Sequence, residues 1–432
     1  MRRLNWTCGF VVMSTTVCAA SARAAAPTEL SRAERAAGWK VLFDGQSTSK
    51  WRGYRTSNFP ANRWSIDNGC LKSAGGGEEH AVDLITNDQY GDFELVLEWK
   101  TAPGGNSGIV YRVAEKEDRT WQTGPEYQIL DDSGAKIEPT DMQSAGALYA
   151  LYAPAAAKQL KPAGEFNLTR IRLQDNHLEH WLNGAKIVEC DINSDDFKSR
   201  VGQSKFNQYE GFAAQRKGHI ALQDHGDVVW FRNIKVRDLG GPMPGEISLF
   251  DGTSMKGWTH HLEPDGKMED TWQIENGILI CKGQPNGYIR TEADYTNYVL
   301  KLQWRFNPVT KQAGNSGVLL RMIGPDKVWP KSIEAQLHSE NAGDFWNIDE
   351  FQMKTDPERT KGRNTKKLRM AERPIGEWNE YEIIVDGGDI TLNVNGDTLN
   401  HAWDVAEVPG KICLQSEGAE IQFRNIRLAP IN

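Results

Sequence analysis

Phe93-Glu94-Leu95-Val96-Leu97-Glu98-Trp99 and Tyr298-Val299-Leu300-Lys301-Leu302-Gln303-Trp304 alternate apolar and polar side chains. In an extended chain this period of two puts the apolar set on one face, so both stretches read as half-buried strands. Ile171-Arg172-Leu173, His180-Trp181-Leu182, Val228-Val229-Trp230-Phe231, Tyr381-Glu382-Ile383-Ile384-Val385 and Ile390-Thr391-Leu392-Asn393-Val394 extend the pattern. Asp-Gly or Asn-Gly pairs at 44–45, 68–69, 183–184, 276–277 and 395–396 punctuate it with hairpin turns. The expectation is an all-β chain with few, short helices. Many evenly spaced strands suit a two-sheet sandwich or jelly roll.

The two opening stretches belong to a longer echo. Phe43-Asp44-Gly45, Trp64 to Gly69, Gly105-Asn106-Ser107-Gly108, Glu126-Tyr127-Gln128, Leu222 to Gly226 and Phe231-Arg232-Asn233-Ile234 recur in order. Their counterparts are Phe250-Asp251-Gly252, Trp272 to Gly277, Gly314-Asn315-Ser316-Gly317, Glu334-Ala335-Gln336, Leu414 to Gly418 and Phe423-Arg424-Asn425-Ile426. The offset stays within 205 to 209 residues through Glu334 and then falls to 192. A period this long is a duplicated domain and not a solenoid repeat. Each copy, at 38–238 and 247–430, is long enough to bury its own core, and the Gly/Pro-rich residues 239–246 form a short linker. Unequal insertions lie near 197–215 and 349–373. Loops of this length often cover sites.

Of 432 residues, 50 are Lys or Arg and 58 Asp or Glu, a net charge of −8. Residues 1–25 read as a secretory signal: Arg2 and Arg3, an apolar run from Phe10 to Val17, then Ala22-Arg23-Ala24. The apolar run is too short to span a bilayer, and the residues before Cys18 do not suit lipid attachment. Loss of Arg2, Arg3 and Arg23 with the signal leaves about −11, a poor match to nucleic acid or an anionic membrane. The expected place is the periplasm or the exterior, and the expected partner a small or oligomeric carbohydrate. The basic run Arg359, Lys361, Arg363, Lys366, Lys367, Arg369 reads as a solvated loop, with binding of an anionic ligand as the lesser alternative. Cys70, Cys190, Cys281 and Cys413 remain as buried thiols or one bridge per domain. The sequence requires no cofactor; it has no EF-hand spacing, but an acidic loop could still hold a divalent ion such as Ca2+.

Chemistry has few candidates. Glu126 with Gln128, and Glu334 with Gln336, share one strand face, and each pair either holds hydroxyls and moves a proton or is simply a solvated face. Asn106 and Asn315 open a tight turn whose strand ends in Arg112 or Arg321, cations suited to an oxyanion or to an ion pair. Ser107 and Ser316 lack the nucleophile-elbow pattern. Gln223-Asp224-His225 offers a base, whereas copy two has Gln415-Ser416-Glu417. The sites are therefore not equivalent. Trp64, Trp99, Trp272 and Trp304 recur at matching places and read as core. Trp51, Tyr54, Trp121, Trp258, Trp329 and Trp346 lie in turn-rich segments and are candidates to stack on sugar rings.

Jointly, Leu42-Phe43-Asp44-Gly45 with Trp51, residues 105–112, Pro125 to Asp131, Leu222 to Gly226 and Phe231 to Ile234 resemble the 3-keto-disaccharide hydrolase domain family. Copy two is similar through Ser332 to Leu337, Ala342 to Trp346 and Leu414 to Gly418. The resemblance implies two tandem concanavalin-A-like jelly-roll sandwiches acting on glycosides oxidised at C3. The ketone acidifies the C2 proton, so a base can form an enolate, the C1 substituent leaves and water adds. On that resemblance Glu126 or His225 would be the base, Arg112 and Gln128 would contact oxyanion and hydroxyls, and Asp131 or Asp224 would orient. Copy two departs with Glu417 and with His338-Ser339 in place of Leu130-Asp131. Two lectin-like binding domains, or one catalytic and one binding copy, are the rival expectations.

Overall fold

The computed structural model describes residues 28–432; the signal segment, with Cys8 and Cys18, lies outside them. Among the described residues nearly all regular structure is antiparallel strand, with four α-helices of at most nine residues and three short 3-10 turns. The residues after the linker form sheets separate from those before it.

In the first unit a five-stranded sheet runs Trp51–Gly53, Leu84–Thr86, His219–Leu222, Asn106–Val113, Glu126–Leu130. It faces an eight-stranded sheet built around Phe93–Thr101 and Val229–Asp238. Phe93, Leu95, Leu97 and Trp99 point inward from the larger sheet to meet Ile109, Tyr111, Tyr127 and Ile129 from the smaller one. The second unit repeats the plan. Its site-bearing sheet runs Trp258–Leu262, Gly287–Thr291, Lys411–Ser416, Gly317–Ile323, Lys331–Gln336, Phe345–Ile348, and two short strands from the 349–373 insertion extend its edge. Trp64, Trp99, Trp272 and Trp304 are all core. The chain is an all-β tandem of jelly-roll sandwiches.

The copy-one insertion does not stay a loop. Ser194 caps a helix over Asp195–Gln203, its hydroxyl accepting from the Phe197 amide, and a 3-10 turn, Lys205–Gln208, follows. Phe206 stacks on Phe212 with centroids 4.1 Å apart, anchoring the turn.

The larger sheets meet between the units. Arg237 is buried between Glu94 and Glu382, with Nη1 2.6 Å from Glu382 and Nη2 2.6 Å from Glu94. Arg172 and Gln174 reach Glu380, and Lys301 joins Glu382. Each site-bearing sheet is the opposite layer of its own sandwich, so the two faces that carry Glu126 and Glu334 point away from each other. The four described cysteines, Cys70, Cys190, Cys281 and Cys413, are free thiols. No described helix is long and apolar enough to cross a membrane.

Candidate functional site

Strand geometry positions the key carboxyls. Tyr127 and Ile129 enter the core, so Glu126 and Gln128 project from the other face of the sheet, as do Glu334 and Gln336 around Ala335. Room for these side chains comes from the neighbouring strand. A Cβ on Gly108 would lie 2.2 Å from Glu126 Oε1, and one on Gly317 would lie 2.5 Å from Glu334 Oε1 and 2.3 Å from Gln415 Oε1. The Gly-Asn-Ser-Gly stretch therefore carries its final glycine as the floor under a carboxyl. Ser107 and Ser316 donate to the Gln223 and Gln415 carbonyls, 2.7 and 2.9 Å away, and pin the next strand.

Burial pushes the Glu126 carboxyl up to about 8, against the pull of the Lys205 cation and a hydrogen bond from Gln223, while Asp83 pushes it further up. Enclosure also raises Asp83 to about 6, although Thr120 donates to it at 2.5 Å and the Asp224 amide at 2.8 Å. Lys205 arrives from the insertion, 4.6 Å from the Trp121 ring centre and 4.5 Å from that of Tyr149. Trp121 packs edge-on against Tyr209 and Phe206. Gln128 donates to Asn106 Oδ1 at 3.4 Å. Copy one thus gathers Glu126, Asp83, Lys205, Gln223 and an aromatic cluster.

In copy two a cavity of about 380 Å3 opens above Glu334, walled by Trp329, Trp346, Arg363 and Glu417. Burial, and then the neighbouring Glu417, push Glu334 up to about 8, opposed by Arg363. Glu417 is itself raised by burial, opposed by a hydrogen bond from Asn315 and by His338. Glu334 and Glu417 are thus two carboxyls lining one cavity, each made harder to ionise by burial. Asn315 Oδ1 and Gln415 Oε1 are buried acceptors with no protein donor among the described residues. Gln336 instead turns its oxygen to the Leu337 and His338 amides at 2.8 and 2.9 Å.

Several expectations need correction. Arg112 and Arg321 sit at positive φ, 52° and 49°, where the strands bulge, and their guanidiniums are consumed locally. Arg112 donates to the Gly91 carbonyl and Asp92; Arg321 donates to the Ala406, Thr296 and Gly387 carbonyls. Neither is free for an oxyanion. Asp224 is buried against Arg63 and accepts the Val82 and Gly226 amides, so it pins loops and has no capacity left to orient His225. Asp131 accepts the Gly104 amide at 2.8 Å and ties down the turn before Asn106. His225 pairs through Nδ1 with Glu78 at 3.1 Å; among the described residues the groups acting on Glu126 are Lys205, Asp83 and Gln223. Trp51 and Trp258 are core, each donating its indole N–H to a backbone carbonyl, and Tyr54 is buried too. Of the turn-region aromatics, Trp329 and Trp346 line the copy-two cavity. In the basic run, Arg359, Lys366, Lys367 and Arg369 are ion-paired, while Arg363 lies 6.0 Å from the Trp346 ring centre at the cavity.

Sequence reasoning missed Asp83 and Lys205, and read Arg363 as part of a solvated loop. Asp83 sits in an unremarked Val-Asp-Leu stretch, and its only clue was its place before a strand. The second carboxyl comes from different strands in the two copies, from before Leu84–Thr86 in one and after Lys411–Ser416 in the other. Motif matching could not align them. For a metal, the one three-ligand group among the described residues is His177, Glu179 and Glu189 on the larger sheet. Lys186 stands 3.2 and 2.8 Å from its two carboxylates, which makes it an ion-pair cluster.

A family model described as the 3-keto-alpha-glucoside-1,2-lyase-like domain matches residues 38–237 and again 245–429. A Bacteroides thetaiotaomicron protein named 3-keto-disaccharide hydrolase is 33% identical over 230 residues, covering 47% of this chain and 79% of the relative. Among solved structures, a candidate glycosyl hydrolase from Parabacteroides distasonis is 32% identical, covering 49% of this chain and 99% of its own, with a TM-score of 0.45. A Bacillus licheniformis β-glucanase is 13% identical, covering 43% and 98%, with a TM-score of 0.30.

Proposed function

Because the chain belongs to the 3-keto-alpha-glucoside-1,2-lyase-like domain family in both of its halves, we propose that it is a carbohydrate-cleaving enzyme acting on glycosides that carry a ketone at C3. The observation that carries this reading is the Glu334–Glu417 pair, two carboxyls with raised pKa at one cavity between two indoles. We infer that cleavage takes place in the second copy.

A C3 ketone makes C2–H acidic, and elimination then needs a base and a donor for the oxygen on which charge develops. Glu417, as carboxylate, removes the C2 proton. Glu334, held neutral, donates a hydrogen bond to the enolate oxygen at C3, the role a neutral carboxylic acid performs best in an apolar enclosure. The electrons return through C2 to expel the C1 oxygen, and the proton on Glu417 passes to the departing alcohol. Water then adds across C1=C2, its hydroxyl to C1 and a proton to C2, restoring the 3-keto sugar. Elimination alone is a lyase step, and both steps together amount to hydrolysis. Asn315 Oδ1 and Gln415 Oε1, buried acceptors without a donor among the described residues, suit the sugar hydroxyls.

The test is turnover of 3-keto-trehalose or a methyl 3-keto-glucoside by the full chain. Glu417→Gln, which cannot take up the C2 proton, and Glu334→Leu, which removes the hydrogen-bond donor to the enolate, are each expected to lose about 100-fold or more, and the unoxidised glycosides are expected to resist. Losses below about tenfold in both variants, or equal cleavage of unoxidised glycosides, would reject the reading.

A further inference from the structure

The cations of the copy-two basic run divide by what they meet. Arg359 pairs with Asp356, Lys366 with Asp344, Lys367 with Glu372 and Arg369 with Asp397. Lys361 and Arg363 are exposed and have no ion pair among the described residues, and of the two Arg363 alone lines the cavity above Glu334. It is the single Lys or Arg in that lining. We propose that Arg363 is a specificity-determining residue that binds an acidic group, a carboxylate or a sulfate ester, at C6 of the oxidised sugar. The preferred substrate is then a 3-keto glycoside whose oxidised ring is anionic. The inference rests on the reading of the Glu334–Glu417 site given above.

The strand order fixes which edge of the sugar Arg363 meets. Across the sheet, Glu417 follows Lys411–Ser416, Asn315 precedes Gly317–Ile323, Glu334 lies on Lys331–Gln336, Trp346 lies on Phe345–Ile348, and Arg363 leads into Asn364–Thr365. Glu334 therefore stands two strands from Glu417 on one side and two from Arg363 on the other, roughly 10 Å each at about 4.8 Å per strand. With C2 at Glu417 and the C3 oxygen at Glu334, the direction from C2 to C3 runs toward Arg363. Continued, it reaches C4 and the C6 group on C5, whereas the C1 substituent lies at the Glu417 end. The cation thus faces the oxidised ring and not the group that departs.

The guanidinium is also held ready and uncompensated. Thr365 Oγ1 lies 2.7 Å from Thr355 Oγ1 and 2.9 Å from Thr360 Oγ1, and the Asn347 amide donates to the Arg363 carbonyl at 2.8 Å, so the hairpin that carries Arg363 is pinned. The guanidinium carbon is 6.0 Å from the Trp346 ring centre, and an indole beside a planar cation limits its orientations while leaving N–H groups for a ligand. Burial keeps Glu334 neutral near pH 7, so that carboxyl does not discharge Arg363. A neutral sugar leaves this charge unused. An acidic group takes it up through charge-assisted hydrogen bonds, to which the guanidinium fork is matched.

The test is kcat/KM of the full chain for methyl 3-keto-α-glucoside, for methyl 3-keto-α-glucosiduronate and for the 6-sulfate of the first. At least one acidic substrate is expected to be favoured about tenfold over the neutral one, the low end for a hydrogen bond to a charged group. Which of the two is favoured tells carboxylate from sulfate. The preference should shrink with added salt, as an exposed charge contact does. Arg363→Met should bring the ratio close to one, and Arg363→Lys should keep part of it. Equal or lower kcat/KM for both acidic substrates, or a preference that survives Arg363→Met at an unchanged melting temperature, overturns the role of Arg363 and leaves the Glu334–Glu417 reading standing. If the folded protein cleaves none of the three, that reading fails, and the inference with it.

Discussion

Glu126 and Glu334 each stand where a neighbouring strand supplies a glycine, and each stays neutral at a pH where a free carboxyl would ionise. For Glu334 this arrangement has a thermodynamic consequence. Its pKa rises from 4.5 unfolded to about 8 folded, so the folded state holds the extra proton between those values. The associated stability is complete below about pH 4.5 and is lost as pH rises toward 8. Glu334→Gln mimics the neutral acid and removes this loss. We expect it to raise the melting temperature at pH 8.5, by about 2–4 °C for each kcal/mol recovered in a domain of this size, with little change at pH 4.5. A calorimetric melt at the two pH values checks this, and an equal shift at both would show that the proton is not the cause. Read from sequence, the glutamates were legible through their period-two neighbours. Their protonation was not, because desolvation depends on what the fold packs around them.

The strand with Glu-x-Gln is common to both copies, and what sits beside it differs because the insertions differ. In copy one the Asp195–Gln203 helix and the turn after it deliver Lys205 to Glu126 and to the Trp121–Tyr149 aromatics. In copy two the insertion contributes Arg363 and short strands at the sheet edge, leaving a cavity between Trp329 and Trp346. If cleavage belongs to copy two, Glu126→Gln and Lys205→Met in the full chain keep 3-keto-glycoside turnover within about threefold, far below the 100-fold scale of a lost acid or base. A tenfold loss in either variant, measured under saturating substrate, would move the chemistry to copy one. Both insertions were visible as excess length. Their folding was hidden, since a polar stretch such as Asp195 to Gln208 becomes ordered only when Phe197 and Phe206 find a core to enter.

Across the whole molecule the two larger sheets are joined by charges that only make sense together. Arg237, from the first unit, satisfies Glu94 of its own sheet and Glu382 of the other unit, and holds Glu94 down at about 2. Arg237→Ala leaves Glu94 with Arg170 and Glu382 with Lys301 as their remaining cations, and a cost of about 3 kcal/mol, the low end for a broken buried pair, is expected in denaturant melts; a loss below about 1 kcal/mol would mean the interface is solvated. Because Glu94 has a depressed pKa, its contribution is present above about pH 4.5 and is lost as pH falls toward 2. With the larger sheets at the interface, the Glu126 and Glu334 faces look outward in opposite directions, so one glycosidic bond cannot be worked on by both. The sequence by itself determined the all-β class, the duplication, the core tryptophans and the face that carries Glu-x-Gln, because these follow from alternation and repetition along the chain. Only the tertiary structure decided that Arg112, Arg321, Asp131 and Asp224 are structural, that Asp83 and Glu417 are the second carboxyls, and that the cavity lies between Trp329 and Trp346. Those assignments depend on which groups from distant strands meet, and on how much water they lose when they do.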